Sequence, residues 1–106
     1  MERACFLLKV KEGLLDEYRR VHEPVWPELL EVIRQAGIRN YSMFCRPDGL
    51  LVGYLEGGDV HESLRKVGQT EVSRRWEAQM ARFFEPGFGD PQKGELEWLE
   101  QYFYTP

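Results

Sequence analysis

His22 follows Tyr18 by four residues, so on a helix the two side chains share one face, a turn apart. Imidazole, with an ordinary pKa of about 6.5, gives and takes protons at neutral pH, and a phenol beside it both donates and accepts hydrogen bonds. The chain continues Glu23-Pro24-Val25-Trp26-Pro27-Glu28, placing two prolines where a helix should run on. Each proline lacks an N–H and disfavours helical geometry in the residue before it, so a kink or restart near His22 is expected. The carbonyls of Arg20 and Glu23 would lose their helical donors there and be free to fix the imidazole tautomer. Alone, a histidine more often satisfies a buried polar group; with Tyr18, an acid and a helix break around it, His22 reads as an acid–base residue.

Tyr18, Tyr41, Trp26 and Trp76 bring hydroxyl and aromatic groups from separate elements, a mixture that suits a polyhydroxylated ligand. Flat aromatic faces pack on the C–H side of a sugar ring while phenol, indole and imidazole groups bond its hydroxyls. Taken singly, Trp26 and Trp76 fall on apolar helical stripes and read as core. His61 stands between Val60 and Glu62 in an exposed first turn and reads as a solvated surface residue. Gly57-Gly58 before Asp59 reads as a helix-entry turn, and no GxGxxG or P-loop pattern points to a nucleotide cofactor. No His, Asp or Glu spacing makes a convincing metal site, and no serine or cysteine sits in a nucleophile elbow. What remains is acid–base chemistry without a cofactor.

The elements that must position these groups follow from periodicity. Residues Ala4 to Val10 alternate with period two and predict a strand, broken by Lys11-Glu12-Gly13. Leu14, Tyr18, Val21, Val25, Leu29, Val32 and Ile33 recur at helical steps up to Gly37, predicting one interrupted helix. Arg39 to Arg46 and Leu50 to Glu56 are strand-like, joined by the turn Arg46-Pro47-Asp48-Gly49, and should form a hairpin. Asp59 with Glu62 resembles a capping box opening a short helix closed by Gly68. Thr70 can cap a longer helix carrying Val72, Trp76, Met80, Phe83 and Phe84. Pro86 to Pro91 is a loop by composition, and Glu95 to Tyr104 is an aromatic-rich final strand.

The order strand, helix, strand, strand, helix, strand is the α+β, ferredoxin-like βαββαβ arrangement, with helices on one face of an antiparallel sheet. The other face has no element left to cover it, so dimerisation through that face is expected. With 106 residues the chain reads as one domain, residues 1–106. Composition is ordinary at 42% apolar and 30% charged, and no apolar run approaches a membrane span of about 20 residues. Net charge is −4, with Arg19-Arg20 and Arg74-Arg75 interspersed among acids, which argues against a nucleic-acid partner. The N-terminus lacks the pattern of a secretory signal, so a cytoplasmic location is expected. Cys5 and Cys45 lie inside predicted strands, form neither a CxxC pair nor a zinc cluster, and read as reduced core thiols.

Tyr18 through Glu28, Asn40-Tyr41, Arg75-Trp76 and the terminal Phe103-Tyr104-Thr105-Pro106 together resemble the L-rhamnose mutarotase family along the whole chain. The resemblance implies a dimeric α/β barrel that interconverts the α and β anomers of L-rhamnose. It implies that His22 is the proton donor and that Tyr18, Tyr41 and Trp76 line the sugar site. Members often carry a second aromatic after the tryptophan, whereas this chain has Glu77, which bears on sugar preference. A fold does not fix a function, and the same barrel would also suit a cofactorless monooxygenase or a small-ligand-binding protein.

Overall fold

The computed structural model describes residues 1–22, 25–85 and 96–106. Four strands, β1 (Glu2–Lys9), β2 (Arg39–Cys45), β3 (Leu50–Gly57) and β4 (Glu97–Leu99), form one sheet in the order β2-β3-β1-β4. Every neighbouring pair is antiparallel, which is the ferredoxin-like arrangement read from the sequence. Each helical connection consists of two helices: α1 (Leu15–His22) with α2 (Pro27–Gln35), and α3 (Val60–Gly68) with α4 (Glu71–Met80).

Alternation decides which sheet face is covered. In β3, Leu51, Gly53, Leu55 and Gly57 are buried while the residues between them are half-exposed. Their antiparallel partners in β1 include Phe6 and Leu8, so these side chains share one face and pack under the helices. Tyr18, Leu29, Val67, Val72, Met80 and Phe83 close the core from above. Gly53 is required where it stands, because a Cβ there would lie 2.3 Å from the Phe6 ring.

The expected break in the first helix is a full restart. Pro27 occupies the first helical position of α2, where its missing N–H costs no intrahelical bond, and Trp26 precedes it in extended geometry. Glu23 and Pro24 lie outside the described residues, and with them the expectation for the Arg20 and Glu23 carbonyls. The Pro86–Pro91 loop lies outside them too. Gly49, at φ +98°, closes the β2–β3 hairpin by donating its N–H to the Arg46 carbonyl at 2.9 Å. Asp59 caps α3 by accepting from the Glu62 N–H at 3.1 Å, but the Glu62 carboxylate pairs with Arg65, so only half the capping box forms. Thr70 caps α4 by accepting from the Ser73 N–H at 3.2 Å.

Several boundaries differ from expectation. Among the described residues the last strand is β4 alone, shorter than the expected Glu95 to Tyr104, of which Glu95 lies outside them. It pairs at the sheet edge only with Cys5, Phe6 and Leu7, and the exposed residues after it leave the ladder, with the Arg3 guanidinium 3.6 Å above the Tyr104 ring. The first strand runs Glu2–Lys9 and not Ala4 to Val10; Val10 makes only an isolated bridge to Phe84. Helix α4 stops at Met80, and Phe83 sits in a 3₁₀ turn over Ala81–Phe83. The cysteines are not core residues: Cys5 is half-buried and Cys45 is exposed on the edge strand β2, both with free thiols. Opposite the helices, Cys5, Leu7, Phe44, Val52, Tyr54 and Leu99 form a sheet face that no element among the described residues covers.

Candidate active site

The site is built around the C-terminal end of α1. Tyr18 and His22, one turn apart, stack face to face with ring centroids 5.1 Å apart and planes at 27°. This is the geometry their spacing predicts, and it makes Tyr18 the platform on which the imidazole lies. Tyr18 is 5% exposed, held edge-on by Phe83 and by Phe84, each at 5.5 Å. The 3₁₀ turn after α4 therefore fixes Tyr18, and Tyr18 fixes His22.

On its other side His22 meets the edge of Trp76 from α4 at 5.6 Å, and Trp76 in turn meets Trp26 at 5.1 Å. The aromatic chain Tyr18–His22–Trp76–Trp26 thus spans α1, the helix break and α4. Both tryptophans are half-buried and also pack against the core, so their core and site roles coincide. Arg75 reaches over the Trp26 ring at 5.7 Å and lies 3.9 Å from the Glu28 carboxylate.

Tyr41 comes from β2 on the helix-covered side, 6.3 Å edge-on from Phe6. Although 37% of its surface is exposed, burial of its hydroxyl end, with the Glu77 carboxylate adding to it, pushes its pKa up to about 12. Glu77, half-buried beside Trp76 on α4, is thus within electrostatic reach of Tyr41. Burial raises the Tyr18 pKa further, helped by Tyr41 and Cys45, so both phenols stay protonated at neutral pH and act as hydroxyls. Burial lowers the His22 pKa, since the charged imidazolium is the form that loses solvation.

A cavity of about 250 Å³ opens beside this cluster, lined by Tyr18, Arg19, His22, Met43, Phe44, Cys45 and Leu51. It is smaller than the roughly 300–1,000 Å³ of drug-sized ligand sites, which suits a monosaccharide. The structure thus brings Tyr18, His22 and Trp76 into direct ring contact, and sets Tyr41 within electrostatic reach of Tyr18. Tyr18 and His22 line the cavity; Trp76 and Tyr41 flank them without lining it. The sequence reading missed Arg19, Met43, Phe44, Cys45 and Leu51 as wall residues. For Met43 and Cys45 the signal was period two from Tyr41, which puts residues 41, 43 and 45 on one side of β2.

His61 is exposed as expected, yet its ring lies 4.3 Å from Trp98, joining the start of α3 to the edge strand. Among the described residues no three His, Cys, Asp or Glu side chains group so as to hold a metal. No helix is long and apolar enough to cross a membrane among those residues.

Against known proteins, residues 3–105 match the sequence model of the L-rhamnose mutarotase family. An L-rhamnose mutarotase of Burkholderia ambifaria is 35% identical over 98 residues, spanning 92% of this chain and 94% of that protein. One from Pectobacterium carotovorum is 40% identical over 79 residues, 72% of this chain and 73% of that one. Among solved structures, L-rhamnose mutarotase from Formosa agariphila superposes with a TM-score of 0.79 at 23% identity, covering 100% of both chains. The Streptomyces glaucescens tetracenomycin F2 cyclase, a polyketide cyclase, superposes at 0.62 with 15% identity over 100% of both chains, a likeness of fold alone.

Proposed function

The chain belongs to the L-rhamnose mutarotase family, and from that premise we propose that the cleft at the α1–α2 break opens and recloses the ring of L-rhamnose, interconverting its anomers. Mutarotation requires a proton on the ring oxygen and removal of one from the anomeric hydroxyl. The ring then opens to an aldehyde, turns about one bond and recloses on the other face. His22 delivers the proton to the ring oxygen. The observation that carries this role is its placement: a half-buried imidazole lining a sugar-sized cavity, stacked on Tyr18 and set edge to face with Trp76.

Tyr18 and Tyr41, held as neutral phenols, donate and accept hydrogen bonds to sugar hydroxyls, and Trp76 packs on ring carbons. With both phenols protonated, neither tyrosine is the resident base. The anomeric proton leaves to a bound water. Holding the open aldehyde among these side chains favours reclosure over escape. No step calls for a cofactor.

The working unit is a homodimer of this one domain, closed sheet to sheet through the uncovered face. The support is its exposed apolar content, with Phe44 62% and Leu99 45% exposed. A cytoplasmic site of action accords with two free thiols.

The direct test follows the optical rotation of freshly dissolved crystalline L-rhamnose with and without protein. The proposed function predicts a faster approach to anomeric equilibrium; an unchanged approach contradicts it.

A further inference from the structure

The strand that carries Tyr41 does not run in regular register. Arg39 pairs with Glu56 and Ser42 with Tyr54, so three steps along β2 meet two along β3, and Asn40 and Tyr41 together oppose Leu55. This is a β-bulge, one extra residue inserted at the start of the edge strand. Asn40 stands at φ 50°, the one non-glycine residue with positive φ among the described residues. That left-handed geometry is the one asparagine tolerates best after glycine.

The bulge is pinned on both sides. Arg39 Nη1 donates to the Arg34 carbonyl at 2.8 Å and the Ile38 carbonyl at 2.9 Å, tying the strand's start to the end of α2. The Asn40 side-chain amide donates to Glu56 Oε1 at 2.8 Å, and Glu56 also accepts from the Tyr54 hydroxyl. The consequence is a change of phase. Arg39, opposite Glu56, lies on the uncovered side of the sheet; strict alternation from there would send Tyr41 to the same side, away from His22. The extra residue reverses the alternation, so Tyr41 joins Met43 and Cys45 on the helix side and meets the Phe6 ring.

We propose that Asn40 is a positioning residue of the sugar site: its left-handed backbone sets the bulge that turns Tyr41 toward the cleft. Asn40 itself touches no sugar. The inference rests on the sugar-site reading for its catalytic consequence, but the turning of Tyr41 is a property of the fold and can be read separately.

The test compares Asn40→Gly, which keeps the left-handed geometry, with Asn40→Val, whose branched side chain opposes it. Tyr41 placement is read as the NMR cross-relaxation between the Phe6 and Tyr41 rings. Binding is read with methyl α-L-rhamnopyranoside, which cannot open its ring. Asn40→Gly should keep the ring contact and bind within about twofold of wild type. Asn40→Val should lose the contact and bind about fivefold or more weakly, the scale of one lost hydrogen bond. In a Tyr41→Ala background, Asn40→Val should weaken binding no further, because both changes remove the same interaction. Should Asn40→Val not fold, Asn40→Ala sets the same conflict more mildly and is read in the same way. Retention of the Phe6–Tyr41 contact with wild-type binding in the non-glycine variant would overturn the inference, as would losses that add in full to Tyr41→Ala. A wild-type protein that fails to bind the methyl glycoside would instead overturn the sugar reading, while the ring contact would still decide the role of Asn40.

Discussion

His22 does its proposed work as a proton donor, and burial sets the direction of its pH dependence. The donor form is the imidazolium, and its pKa lies below the ordinary value of about 6.5. Its population therefore grows as pH falls toward that lowered value and shrinks as pH rises. The His22-dependent part of kcat should decline as pH is raised from about 6 to about 8, and His22→Ala should flatten that slope. Tyr18 acts by a hydroxyl on a buried ring, so Tyr18→Phe should keep the stack on His22. The variant should raise KM about fivefold, the worth of about one hydrogen bond, with a smaller change in kcat, measured by anomeric exchange across a rhamnose series. At this scale the sequence was informative wherever spacing alone places groups: four residues on a helix suffice to stack Tyr18 and His22. Cys45 was misplaced because its type suggests burial, whereas its burial depends on an edge strand whose cover no local pattern encodes.

The elements were legible where local chemistry starts or stops them. Asp59, Thr70 and Gly49 each act within three residues of themselves, and each capped or turned the chain where its type predicts. Thr70 also donates its hydroxyl to the Val67 carbonyl at 2.7 Å, bridging the ends of α3 and α4. Thr70→Ala should cost about 1–2 kcal/mol in urea unfolding. The bulge in β2 was not legible, because it exists only relative to β3. The final strand was overextended because an aromatic run at a sheet edge looks like a strand whether or not a partner continues beside it. Gly53 tests how strand packing supports the cleft. A methyl group at this position meets the Phe6 ring, and Phe6 also touches Tyr41 and Trp98. Gly53→Ala should therefore destabilise by about 1–3 kcal/mol, the range for overpacking. It should also raise KM by displacing Tyr41, a change that simple loss of folded protein would not produce.

For the molecule as a whole, the sheet face left uncovered among the described residues is the largest consequence of the helices there lying on one side. The expectation came from counting elements, and the structure supplies its surface: an apolar stripe across all four strands, with Phe44 at its exposed edge. If two copies close sheet to sheet, wild type should scatter light as a dimer, and Phe44→Asp should shift it toward monomer by burying an unpaired charge. A wild-type protein that stays monomeric at micromolar concentration would contradict the sheet-to-sheet pairing. The central claim, that this molecule interconverts L-rhamnose anomers through His22, is tested most directly by saturation transfer between the α and β anomeric protons at equilibrium. Wild type should accelerate the exchange well above the buffer rate, and a folded His22→Ala should lose about 10²–10⁴-fold of that acceleration, the span of general acid–base catalysis. Exchange at the buffer rate with wild type, or an undiminished rate with His22→Ala, would contradict the account.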